Sequence, residues 1–320
     1  MKPDGFAADL LRKPDVLRAL AATLADENPW ADAVPANTER VVLFGMGSSA
    51  YAGGVAAARM RSRGVVAVSE LASSQHLPTW GEGTLVVATS ASGGSVETLD
   101  ALSRLPASLP TVALTNMAES AIVDACDISI ALHAEPEVGG VACRSYQHTL
   151  ALLMALECHL AGASTSGLAA ALSRVADATA HLLESESAWL PEVSGLLLGP
   201  SGTHLVAPAE RFCSAQQGAL MLREGPRRPA VGCETGDWSH VDVYLTKTTD
   251  YRLLVFAGSP WEDQLAEWTT SRGSTVVGVG GEVPGARYTL RYPGDGDDDV
   301  RLLTEVLVPE LVAARAWQAS

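Results

Sequence analysis

Short apolar runs without polar alternation recur along the first half of the chain: Val41-Val42-Leu43-Phe44, Val65-Val66-Ala67-Val68, Leu85-Val86-Val87-Ala88, Val112-Ala113-Leu114 and Ile128-Ser129-Ile130. Such runs fit strands buried on both faces, as in a parallel sheet covered by helices. Stretches of helical period lie between them, notably 50–63 and 96–105, and another precedes them over 9–24 with Pro14 placed to start a helix. The alternation predicts right-handed βαβ units in a doubly wound layer. A longer helical pattern over 146–160 runs into Ala161-Gly162-Ala163-Ser164-Thr165-Ser166-Gly167, a small-residue stretch that reads as a hinge. A helix over 168–187 follows, and the rhythm then restarts. Its strand candidates are Leu196-Leu197-Leu198-Gly199, Leu253-Leu254-Val255-Phe256 and Val276-Val277-Gly278-Val279, with helices over 214–223, 261–272 and 300–317.

The second half thus repeats the first. The fold class is α/β: two tandem domains, each a parallel, Rossmann-like sheet flanked by helices. The expected division is 1–165, with the leading helix, and 166–320, with a linker helix. A length of 320 residues gives each domain a core of its own, and 47% hydrophobic with 18% charged residues excludes a disordered chain.

No apolar run approaches the roughly 20 residues that span a bilayer, and the N-terminus carries no basic-then-apolar signal, so no membrane partner and a cytoplasmic location are expected. Five scattered cysteines without a CxxC pair predict reduced thiols. The net charge of −15 makes nucleic acid a poor partner. The histidines show no ligand spacing, so no metal is expected. The acidic run Asp295-Gly296-Asp297-Asp298-Asp299 lacks the ligand spacing of a calcium loop. Lysine is scarce: Lys2, Lys13 and Lys247 stand against nineteen arginines, which leaves little room for an amine nucleophile.

The densest candidate chemistry is Ala88-Thr89-Ser90-Ala91-Ser92-Gly93-Gly94-Ser95-Val96-Glu97-Thr98, which follows a predicted strand and opens a predicted helix. Glycines allow close backbone approach, free N–H groups favour an anion, and Ser90, Ser92 and Ser95 add hydroxyls. The same residues also fit an ordinary βα turn capped by Ser or Thr. A second glycine turn, Gly45-Met46-Gly47-Ser48-Ser49-Ala50-Tyr51-Ala52-Gly53, matches a dinucleotide fingerprint only imperfectly. No acidic residue ends the next strand, Glu70 coming slightly late, so no nicotinamide or other cofactor is expected.

Gly47-Ser48-Ser49, the Ser90–Thr98 loop and the segment from Glu135 to Tyr146 resemble, in order, three motifs of the sugar isomerase (SIS) domain family. From about Leu11 to Trp317 the chain is similar to the isomerase half of glucosamine-6-phosphate synthase, which has two tandem SIS domains. The resemblance implies a sugar phosphate, a hexose or hexosamine phosphate, as ligand. Ser90, Ser92 and Ser95 would hold the phosphate in a loop with Gly93 and Thr98, Ser49 would contact the sugar beside Gly47, and Ala142 would line the site. Ala91, Gly94 and Ala142 stand where the synthases have Gln, Glu and Ser.

In the second half, Gln217-Gly218-Ala219-Leu220-Met221-Leu222-Arg223-Glu224 resembles the family segment whose last Glu moves a proton between C1 and C2. Read alone, Glu224 also fits a solvated helix-terminal acid. Gly236-Asp237-Trp238-Ser239-His240 resembles the segment whose His serves ring opening, supplied across a dimer interface, so the resemblance implies a homodimer. Val241-Asp242 replaces the usual Gly-Pro. The synthases' glutaminase domain and lysine-bearing tail are not matched. The expectation is an aldose–ketose isomerase, deaminase or deglycase acting on an amino-sugar or ketosamine phosphate. The alternative is a non-catalytic sugar-phosphate sensor.

Overall fold

The computed structural model describes residues 1–320. Two helices lead, α1 (Pro3–Leu11) and α2 (Lys13–Asp26). They replace the single helix expected over 9–24, because Pro14 has no N–H for the previous turn and its ring crowds the carbonyl four residues back. The first sheet then follows as β1 (Arg40–Gly45), α3 (Ser48–Ser62), β2 (Val66–Leu71), β3 (Thr84–Thr89), α4 (Val96–Ser103), β4 (Thr111–Thr115), α5 (Ala121–Asp124), β5 (Ile128–Ala131) and α6 (Arg144–Leu160). All five strands are parallel in the order β2-β1-β3-β4-β5, with Phe44 opposite Ala88 and Ala88 opposite Ala113. β3 is buried along its whole length, as its unbroken apolar pattern requires. Val42, Phe44, Val86, Ala101 and Ile122 form the core around it, each large side chain contributing about 1.5–3 kcal/mol of burial.

The second half opens with α7 (Ser166–Glu184) and α8 (Glu186–Leu197). Here the sequence expectation is corrected. Leu196-Leu197-Leu198-Gly199 is not a strand, because Trp189, Leu190, Val193 and Leu197 continue a buried helical stripe to the end of α8. The strand begins only after the following turn, as β6 (Thr203–Ala207). It is followed by α9 (Phe212–Glu224), β7 (Ala230–Glu234), α10 (Thr235–Trp238), β8 (Arg252–Phe256), α11 (Glu262–Ser271), β9 (Thr275–Val279), β10 (Tyr288–Leu290), α12 (Asp298–Thr304) and α13 (Leu307–Gln318). One helix expected over 300–317 is two, since Pro309 in the first turn of α13 cannot donate to Glu305. The parallel order β10-β9-β8-β6-β7, read from its other edge, is that of the first sheet.

Two compact units result: Val16–Glu137 with Ala142–Ser173, and Arg174–Ser320 with Met1–Asp15 and Val138–Val141. The leading segment therefore belongs with the second sheet. Phe6 meets the Trp317 ring at 6.1 Å between centroids. Asp9, 2% exposed, accepts the N–H groups of Val138 and Gly139 at 3.1 and 2.7 Å. The acidic run before α12 is absorbed locally. Asp297 caps α12 through the N–H groups of Asp299 and Val300, and Asp295 pairs with Arg291. No helix is long and apolar enough to cross a membrane.

Candidate functional site

From β1 the chain crosses to β2 on one side, then returns to β3 on the other, so the loops part at the C-terminal ends of β1 and β3. Open α/β sheets bind ligands at such a switch point. Both glycine- and serine-rich turns picked out in the sequence lie here.

The loop after β3 is tied by its own serines. Ser90 is buried; its N–H donates to Leu114 O at 3.1 Å, and its hydroxyl oxygen accepts the Ser95 N–H at 3.4 Å. Ser95 caps α4, accepting the Thr98 N–H at 3.3 Å and the Thr98 hydroxyl at 3.0 Å, and donates to Glu97 at 3.1 Å. Thr98 has no exposed surface. Ser92 and Gly94 stand exposed at the crest. The capped-turn reading therefore describes Ser95, while Ser92 faces solvent. At the end of β1, Gly47 (φ 50°) caps α3 without a side-chain bond, and Ser49 lies half-buried in the first turn.

Gly93 fixes the loop's path. Its φ is +69°, and a Cβ there would run into the Ser120 side chain. Gly93→Ala is expected to displace the Ser90–Ser95 loop and cost about 1–3 kcal/mol of stability. Thermal unfolding, with phosphate titrated into both forms, measures the loss of stability and of binding together.

Two residues that the sequence reading did not single out hold this edge together. Asn116, after β4, donates its N–H to Ala91 O at 3.2 Å and its side-chain amide to Glu135 O at 2.8 Å, and accepts the Ala134 N–H at 3.1 Å. Glu137 takes the N–H groups of Cys143, Arg144 and Ser145, and the Ser145 hydroxyl, at 2.6–3.2 Å. Its carboxylate thereby caps α6, which has no side-chain bond from Cys143 at its N-cap. Buried Arg144 donates to Pro136 O at 2.6 Å. Half-buried Ala142 sits just ahead of α6. His133 and Glu135 both have left-handed φ, near 55°, which is rare for residues with a Cβ. The one sequence signal for this clamp is Glu137 itself, an acid placed shortly before a helix.

Glu224 and His240 belong to the other compact unit. Glu224 ends α9, and burial raises its carboxyl pKa, with Arg223 opposing the shift. His240 is exposed, its N–H donating to Asp237 O at 2.8 Å. The two flank β7: Glu224 precedes its first residue and His240 follows its last.

The segment bearing His240 is anchored from below. Asp242, 7% exposed, accepts from His204 Nδ1 at 3.0 Å and from the Tyr251 hydroxyl at 3.4 Å. Trp238 donates to that hydroxyl at 2.8 Å, and His204 stacks on Tyr251 at 4.1 Å. Above the anchor, Val241, Tyr244, Leu245 and Trp261 are exposed. No group of three or more His, Cys, Asp or Glu side chains is clustered to hold a metal ion.

Comparison with known proteins agrees with this geometry. Residues 36–157 match the family model of the SIS domain. A glutamine--fructose-6-phosphate aminotransferase [isomerizing] of Aeropyrum pernix is 28% identical over 329 residues, 94% of this chain; the chain spans 53% of that relative's length. Among solved structures, the C-terminal domain of glucosamine-fructose-6-phosphate aminotransferase from Francisella tularensis superposes with a TM-score of 0.82 at 16% identity, covering 98% of this chain and 96% of that one. Glucosamine-6-phosphate deaminase from Thermotoga maritima gives 0.74 at 18% identity, covering 98% and 94%. The SIS match thus falls on the first sheet, the same strand order is built a second time, and the chain as a whole has the fold of the tandem-SIS structures.

Proposed function

We propose that the chain is a sugar-phosphate isomerase or deaminase acting on an amino-sugar or ketosamine phosphate. The observation that carries this reading is the Ser90–Thr98 loop. Buried Ser90 and capped Ser95 hold a glycine-rich turn at the switch point of a SIS domain, and Ser92 is presented to solvent. Hydroxyls and backbone N–H groups bind phosphate there without a lysine.

In this reading the phosphate rests on Ser92 and the loop N–H groups, and Ser49 orients the sugar beside Gly47. His240 donates a proton to the ring oxygen as the C1 hydroxyl gives its proton to solvent water, which opens the ring. The Glu224 carboxylate then removes the C2 proton of the open-chain 2-amino aldose and returns it to C1 through an enolamine, and water hydrolyses the resulting C2 imine to the ketose and ammonia. A carboxyl with raised pKa suits a group that must both take and give a proton near neutrality. Glu224 and His240 lie at opposite ends of β7, and the His comes from a second copy, as the family resemblance implies. The exposed face of Val241, Tyr244, Leu245 and Trp261 around it is where that homodimer forms.

Thermal stabilisation by a panel of hexose and hexosamine phosphates identifies the ligand, since binding raises apparent stability by mass action. Proton exchange at C2, followed by NMR in deuterated solvent, then tests the chemistry. Exchange in the stabilising sugar is expected. Stabilisation without exchange overturns catalysis and leaves a sensor.

A further inference from the structure

The second sheet has a switch point of its own, between β6 and β8. Two arginines converge there. Arg211, 4% exposed, donates to Ala257 O and lies 3.3 Å from buried Glu305. Its Nη1 faces Asp298 Oδ1 at 3.6 Å, and Arg301 Nη1 faces the same oxygen at 3.5 Å. Both guanidiniums also meet the bare side of Gly258, where a Cβ would lie 3.2 Å from each. Gly258 has a φ of +122° and is exposed, so the approach to the pair is open.

Four carboxylates lie close: Asp295, whose backbone oxygen accepts from Arg301, is already paired with Arg291, and burial separates the roles of the other three. Glu262, at the start of α11, takes the Gly258 and Ser259 N–H groups at 2.5 and 2.8 Å and is thereby engaged. Glu305 is wholly buried, and desolvation lifts its carboxyl to about 7, so near neutral pH it offsets Arg211 only in part. Asp298 is different. Its side chain is 84% exposed and its contacts are long, so it sits between the arginines at little gain and is free to turn outward.

We infer that this second switch point is an anion site, which takes the phosphate of a small phosphomonoester between Arg211 and Arg301 as Asp298 swings out to solvent. Paired guanidinium N–H groups match phosphate oxygens in spacing and charge. Buried Arg211 binds with little loss of side-chain freedom, since Ala257 and Glu305 already hold it. The inference stands apart from chemistry at the Ser90 loop.

The test is calorimetric titration of the full chain at low salt with inorganic phosphate and, separately, with glucose 6-phosphate. Arg301→Met is the deleting variant, since Arg301 is partly exposed and its loss leaves buried Arg211 in place; circular dichroism verifies folding. It is expected to remove one site per chain, or to weaken it about tenfold or more. Asp298→Asn, at an exposed position, is expected to tighten that same site by removing the competing charge. Unchanged stoichiometry and affinity in both variants overturns the inference. If Gly93→Ala abolishes no site while Arg301→Met does, the second-sheet site stands and the reading of the Ser90 loop fails.

Discussion

Glu224→Gln is expected to lower turnover of the true substrate by about 10²–10⁴-fold, the usual share of a general acid–base group. The sugar phosphate should still stabilise the chain, because the proposed mechanism places its phosphate on the Ser90 loop and not on this carboxylate. C2 exchange should disappear with turnover, since the amide cannot shuttle a proton. The pH profile gives a second reading. Burial raises the Glu224 pKa against the opposing Arg223 charge, and the reaction needs the ionised form to take the C2 proton. Activity should therefore fall on the acid side at a pH above the ordinary carboxylate range, and restoring the carboxylate as Asp should return part of the exchange. Unaltered turnover in Glu224→Gln would remove Glu224 from the mechanism altogether.

Much of the first sheet was legible because β1, β3 and β4 are continuous apolar runs, and both faces of a doubly wound parallel sheet are covered. The second sheet reads poorly for the same reason turned round. His204 interrupts β6, Gly232 and Glu234 interrupt β7, and β10 has three residues, too few to show a period. The buried stripe of α8 is meanwhile more apolar in sequence than either strand, so Leu196-Leu197-Leu198 attracts the strand assignment that belongs seven residues later, at Thr203. Pairs distant in sequence leave no periodic signal at all. Asp9 binds N–H groups 129 and 130 residues away, and nothing local distinguishes it from an exposed helix-start acid.

The candidate site divides similarly. The Ser90–Thr98 loop announces itself by composition, whereas Asn116 and Glu137 do their work through backbone groups that only the fold brings near. Asp242 was readable as a mere departure from the family's Gly-Pro. In the folded chain it is the buried acceptor for His204 and Tyr251, under the segment that carries His240.

The lysine deficit leads to the largest expected change in stability. Of the three lysines, Lys2 and Lys247 are exposed, and Lys13 is sealed: its ammonium pairs with Glu310 of α13, both side chains having no exposed surface. The one interior lysine thus serves to join the leading segment to the last helix, and it has no surface through which a sugar could reach it. Lys13→Met would leave the Glu310 carboxylate buried without its cation, and removing one partner of such a pair costs about 3–5 kcal/mol. That fraction of a marginal stability should lower the unfolding midpoint by many degrees, read by denaturant or thermal unfolding. Lys13→Met combined with Glu310→Leu removes both charges and fills the same volume with apolar atoms. Here the desolvation cost vanishes with the attraction, and the double variant should recover most or all of the loss. A double variant no more stable than Lys13→Met would show that Glu310 is not left stranded by the single change. The penalty would then lie in packing rather than in an uncompensated charge.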